Sequence, residues 1–191
     1  MPRIREFDPA IALDQAMHLF WQRGYGNTSI EDLVVATGVS RHGLYDVFES
    51  KHKLFLACLD HYQKVVVGAD FAFGVVEQAH ASLKNIRCYF TAISSHPGGL
   101  GCLMANTATD VAPYDKRAAR KVEKFLARMR GGFKTALLNA KKAGEISAHV
   151  NADKMADFLT GVTQGLAVMA RSSADPKMTA NVVQTTLACL R

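Results

Sequence analysis

Four residues on one short segment bring together the chemistry of nucleic-acid recognition. Arg41, His42, Gly43 and Tyr45 lie within "ATGVSRHGLYDVF". A guanidinium, an imidazole and a phenol are groups that touch phosphates and base edges. The surrounding stretch, "TSIEDLVVATGVSRHGLYDVFESK", stops one short helix at Gly38 and restarts another at Ser40. The restarted helix has little apolar surface of its own. Leu44, Val47 and Phe48 form a narrow buried stripe, and Arg41, His42, Gly43, Tyr45 and Asp46 are left facing outward.

Other chemistries find no support. Cys58, Cys88, Cys102 and Cys189 are scattered without a C-x-x-C pair, which argues against a zinc module or a disulfide framework. Cys58 and His61 lie one turn apart, but two ligands do not make a metal site. "PGGLG" is a glycine turn with no preceding strand, and neither G-x-S-x-G nor H-E-x-x-H occurs. We therefore expect no catalytic residues, no metal and no cofactor. No apolar run approaches a membrane span and the N-terminus has no signal-peptide core, so a cytoplasmic protein without a membrane partner is expected. The net charge of +6 says little about nucleic acid by itself. Residues 1–64 hold seven Lys/Arg against eight Asp/Glu, whereas residues 116–142 hold ten basic residues against Glu123 alone.

Stepping along the chain, helices must position these groups. A first helix is expected over about Pro9 to Arg23, with Asp8 as N-cap, Ile11, Ala12, Ala16, Leu19 and Phe20 on its apolar face, and Gly24 at its end. "TSIE" reads as a capping box that starts a second helix at Thr28, with Glu31 reaching back. Gly38 permits the turn, Val39 plugs it, and Ser40 caps the third helix, whose free N–H groups also suit a phosphate. Ser50 caps a fourth helix that buries Leu54, Phe55, Cys58, Leu59 and Tyr62. Further helices are expected over about 75–94, 102–111, 116–143, 152–171 and 178–190.

The elements "LFWQRGYGNTSIEDLV", "ATGVSRHGLYDVF" and "SKHKLF", in that order and spacing, resemble the DNA-binding domain of the TetR family of transcriptional regulators. The resemblance covers about residues 9–60. It implies an all-α fold: an N-terminal three-helix bundle with a helix-turn-helix (about 29–48, within a domain of residues 1–52), and a larger helical effector-binding and dimerisation domain (53–191). By the same resemblance Arg41 would bind a guanine edge or a phosphate and His42 would read bases. Gly43 would let the backbone approach closely. Tyr45, Thr28 and Lys51 would bond phosphates at the starts of their helices, with Ser29 and Ser40 beside them.

"GCLMANTATDVAP" resembles a segment that lines the effector chamber in one branch of the family, which would put Cys102, Asn106 and Thr107 at that chamber. Cys102 also starts a helix, where N–H groups favour a thiolate, although inert packing is the commoner role of a free cysteine. Phe125, Met129 and Phe133 lie on the apolar face of the long helix, with Phe158 on the next; core and pocket share this wall. Phe158, Val162, Leu166 and Met169, with Val183 and Leu187 on the last helix, form stripes for an isologous four-helix dimer interface. Gly161 and Gly165 would let another helix come close.

The reading is a dimeric, ligand-responsive repressor that binds a near-palindromic double-stranded operator and is released by a small-molecule effector. Its rivals are a TetR-like DNA-binding factor without an effector, architectural or recruiting in role, and a helical carrier or enzyme.

Overall fold

The computed structural model describes residues 7–68, 73–74, 76–94 and 99–190. Nine helices and no strand occur among them: α1 (Pro9–Arg23), α2 (Ile30–Thr37), α3 (Arg41–Phe48), α4 (Lys51–Val65), α5 (Leu83–Ser94), α6 (Leu103–Asp110), α7 (Lys116–Lys142), α8 (Ala152–Arg171) and α9 (Pro176–Ala188). The fold is all-α. Helices α1 to α4 pack into a head, and α5 to α9 into a body built on α7 and α8. Helix α4 runs unbroken through the expected boundary at residue 52 and packs on α1 below and on α6 and α7 above.

Local signals set most helix ends. Asp8 caps α1 by accepting from the Ala10 N–H at 2.8 Å, and Pro9 fills N1, where no N–H is needed. Gly38 adopts the left-handed conformation at φ 65° that closes α2. Ser40 accepts from Gly43 N and Ser50 from Lys53 N, both at 3.1 Å.

Three expectations need correction. Helix α2 is capped by Ser29, whose box partner is Asp32: Ser29 Oγ accepts from Asp32 N while Asp32 Oδ2 accepts from Ser29 N. Ile11 is 59% exposed, and Met17 takes its place in the core of α1. Helix α5 begins at Leu83; Ser82 N is held by the Asn85 side chain, and Val76 is buried in the turn before it. Val75, the expected start, and the segment 95–98 within "SSHPGGLG" lie outside the described residues.

The head contributes Ala16, Met17, Phe20, Leu33, Leu44, Leu54, Phe55 and Leu59 to the core, all essentially sealed. The body is sealed by a ring cluster. Phe133 meets Phe73, Tyr89 and Phe90 with centroids 5.7, 5.5 and 5.9 Å away. Among the described residues no buried side-chain polar atom lacks a partner, as expected where an orphaned one would cost ~1–3 kcal/mol.

Part of the expected dimer stripe is spent inside the protomer. Leu166 and Val183 are 5% and 7% exposed, because α8 and α9 pack on each other and α9 packs on α5. Val162, Met169 and Leu187 are half-buried. The face of α8 that stays open carries Phe158 at 44% and Val168 at 55%, with Gly161 and Gly165 between them, and Met178 on α9 is 56% exposed.

Candidate nucleic-acid interface

Helix α3 is held from below and leaves its upper face free. Leu44 is 1% exposed and anchors it, Val39 at 5% fills the turn, and Phe48 packs at its end. Arg41, His42, Tyr45 and Asp46 are exposed on the outer face. The start of the helix also presents donors, as helix N-termini that bind anions do.

Arg41 pairs with Glu31 across the turn, with both side chains more than half exposed. Such a pair is worth only ~0–1 kcal/mol, so a phosphate or guanine edge displaces Glu31 at little cost. Lys51, the first residue of α4, lies over the Tyr25 ring at 4.3 Å. Burial lowers its pKa against the opposing pull of Asp32. Desolvation of this kind favours handing the ammonium an anion partner. Tyr25 is itself fixed against Phe20 and Phe55.

Two expected contacts move inward. Thr28 is fully buried, and its hydroxyl donates to Gly24 O at 2.7 Å, so it braces the end of α1 and is withdrawn from the DNA-facing set. Gly43 is half-buried: a Cβ there would meet Val39 Cγ1 at 3.0 Å and Phe7 at 3.3 Å. Its bareness serves the packing of α3 on the head. Ser29 is exposed, but its hydroxyl donates to Asp32 Oδ2 at 2.6 Å. That bond, the Ser29 N–H and Arg23 hold the Asp32 carboxyl below the usual carboxylate range.

The ties between head and body that sequence reasoning missed include two at helix ends. His52 pairs with Asp115, the N-cap of α7. The Asp115 pKa is lowered, first by the Ala118 N–H, with help from His52 and the Arg117 N–H against some burial. On the other side Arg171, the last residue of α8, donates to Trp21 O at 2.7 Å and Gln22 O at 3.1 Å at the end of α1. It also reaches Leu100 O, which accepts from Trp21 Nε1 and the Asn106 amide as well. Both joints pair residues far apart in sequence, and no local pattern signals either.

The expected effector wall is closed. Phe125, Met129 and Phe133 are 2%, 3% and 0% exposed and packed as core, while Phe158 faces outward. Asn106 is half-buried with its amide on Leu100 O. The Cys102 thiol turns inward to the Tyr62 hydroxyl. Its pKa is raised by burial, which outweighs the Tyr62 hydroxyl and the N–H groups of Ala105 and Met104. A thiolate favoured by the helix start is therefore not what this environment provides. Two open clefts lie elsewhere. One of about 540 Å³ is bounded by Asp60, Gln63, Lys64, Gly68 and Arg128; another of about 220 Å³ lies between α1 and α2 and is lined by residues including Leu19, Arg23 and Val35. Among the described residues no group of three or more His, Cys, Asp or Glu side chains is placed to hold a metal ion, and no helix is long and apolar enough to cross a membrane.

Comparison with known proteins agrees with this architecture. The profile of bacterial regulatory proteins of the tetR family matches residues 12–58, and that of the tetracyclin repressor-like C-terminal domain matches residues 81–186. The chain is 34% identical to the HTH-type transcriptional repressor ComR of Escherichia coli (strain K12), over 97% of this chain and 90% of ComR. It is 30% identical to the HTH-type transcriptional regulator YezE of Bacillus subtilis (strain 168), over 92% of each. In fold it matches a cysteine mutant of the TetR family regulator CifR, solved in complex with 26-bp double-strand operator DNA. The TM-score is 0.83 at 22% identity, covering 99% of this chain and 100% of that one. The chain belongs to the TetR family of bacterial regulatory proteins.

Proposed function

We propose that the protein is a ligand-responsive transcriptional repressor that binds a near-palindromic operator as a homodimer. The observation that carries this is the free outer face of α3, where Arg41, His42 and Tyr45 stand exposed on a helix anchored by Leu44. Ser29, Ser40 and Lys51 flank that face at the starts of α2, α3 and α4. In this reading Arg41 and His42 read base edges, and Tyr45, Ser29, Ser40 and Lys51 hold phosphates. The name of ComR as a repressor and the operator complex of CifR support it. The dimer forms on the open face of α8, through Phe158 and Val168 with Gly161 and Gly165 allowing close approach, joined by Met178.

An effector acts by opening the core around Phe125, Met129 and Phe133 and so moving α7, whose N-cap Asp115 holds His52 of α4. A coupling of ~1–3 kcal/mol between the sites is enough for regulation. The closed packing of these side chains favours a second reading, a DNA-binding factor without an effector.

Selection of bound sequences from a random duplex pool tests the DNA reading, and a two-fold-related motif is the expected result. Enrichment of no motif refutes it. A thermal-shift screen of small molecules with the selected operator then separates the two readings: release of DNA by a stabilising compound supports the first.

A further inference from the structure

Leaving aside Lys142 in its last turn, the other nine basic residues of α7 divide into two groups. Five are engaged. Lys121 binds Asp60 at 2.5 Å, Arg128 binds Glu77, and Arg130 and Lys134 bind Asp153 at 2.9 and 2.8 Å. Lys141 donates to Val150 O at 2.8 Å. By contrast Lys116, Arg117, Arg120 and Lys124 are exposed and enter no ion pair among the described residues. All four lie in the first third of the helix, where Glu123 is the one acidic residue.

The packing fixes where this free group lies. Asp115 meets His52 and Lys121 meets Asp60, so α7 runs parallel to α4 and nearly in register with it. The two helices begin at the same end of the molecule. Lys51 starts α4 there, and Lys116 and Arg117 start α7 beside it. Tyr114, in the turn that precedes α7, is 91% exposed, and Lys116 and Arg117 just beyond it are exposed as well. The macrodipoles of both helices add positive potential on the same side.

We propose that the first turn of α7 makes a second, sequence-indifferent contact with double-stranded DNA, in which Lys116 and Arg117 bind backbone phosphates beside the one held by Lys51. The inference rests on the DNA-binding reading above and adds the body as a partner surface. Position along α7 grades the effect. At 1.5 Å per residue Arg120 lies about one turn back from the shared end, and Lys124 roughly 12 Å back. That exceeds the screening length of ~8 Å in physiological salt, so Lys124 contributes much less than the first turn.

The test uses the full-length protein and its selected operator duplex, with affinity followed against salt from roughly 50 to 200 mM. The Lys116→Ala/Arg117→Ala variant is expected to flatten the log–log salt slope by roughly two units for each protomer engaged, to bind on the order of tenfold more weakly near 0.1 M salt, and to keep the wild-type base preference. Arg120→Ala gives a smaller change. Lys124→Ala and Lys142→Ala stay closest to wild type. A double variant with the wild-type slope overturns the inference while leaving the DNA reading intact. So does a Lys124→Ala variant that loses as much as the double variant, since that marks a diffuse field and not a contact. A wild-type protein that selects no sequence at all removes both.

Discussion

Replacing Phe133 by Ala asks whether the body holds a closed core or a ready chamber. The ring is 0% exposed and meets Phe73, Tyr89 and Phe90 with centroids under 6 Å away. Phe→Ala in a core that cannot collapse costs ~3–5 kcal/mol, from lost transfer free energy and the cavity left behind. The surrounding rings are held at fixed angles: Phe73 and Tyr89 meet Phe133 edge-on, at 81° and 70°, and Phe90 stacks on it at 15°. They cannot refill the gap without losing those contacts, which places the loss in the upper part of that range. For a chain of this size 1 kcal/mol lowers Tm by about 2–4 °C, so a fall of roughly 8–20 °C is expected. The assay is thermal and urea unfolding at one fixed protein concentration, with and without benzene. An apolar cavity of this kind stays dry and takes a small aromatic guest, so benzene recovers part of the loss. A cost below ~1.5 kcal/mol with no benzene effect would refute the argument: Phe133 would then already border open space.

Further outcomes follow from other parts of the structure. Val168→Asp puts a charge on the open face of α8 and is expected to give monomers by sedimentation, with operator affinity reduced at least a hundredfold; a wild-type monomer at micromolar concentration refutes the interface. Asp115→Ala removes the α7 cap and the His52 tie, at a cost of ~1–2 kcal/mol at pH 7. Because the Asp115 pKa is lowered on folding, its contribution is full above the ordinary value of ~3.9 and is lost as pH falls through the depressed one, so the gap from wild type closes below about pH 4. A gap that widens on acidification would contradict this sign. Per-residue alkylation read by mass spectrometry should rank exposed Cys88 and Cys189 well ahead of Cys102 and Cys58, with the Cys102 rate still climbing above pH 9; saturation at Cys102 below pH 8 would restore a thiolate sensor.

What was legible in the sequence was what short-range chemistry decides. Asp8, Gly38, Ser40 and Ser50 each do locally what their types imply, and they place α1 to α4 to within a residue or two. Thr28 and Ser29 show where that logic ends. Each has an acid three residues on, Glu31 and Asp32, so pattern alone cannot choose the cap. Tertiary packing chooses Ser29 by burying Thr28 against the end of α1. Gly43 was read from the outside, as room for DNA, whereas Val39 and Phe7 need the room from the inside. Leu166 and Val183 had the right periodicity for an interface, but periodicity cannot say whether a stripe faces a neighbouring helix or a second subunit. The closed state of Phe125, Met129 and Phe133 is invisible for the same reason: whether apolar side chains line a hole or fill it depends on how the helices that bear them meet.

The Arg171 joint has a consequence for how heads and bodies are exchanged. Its guanidinium addresses Trp21 O and Gln22 O, which are peptide carbonyls that any residue supplies. A foreign head grafted onto this body would meet the same acceptors whatever its side chains. The joints at His52–Asp115 and Lys121–Asp60 are different, since each is spelled by two specific side chains. A chimera cut within α4 after Asp60 would keep Arg171 satisfied but would import an unmatched partner for Asp115 and Lys121. Restoring His and Asp at those two places in the donor α4 is therefore the minimal edit that would let one body report through many heads.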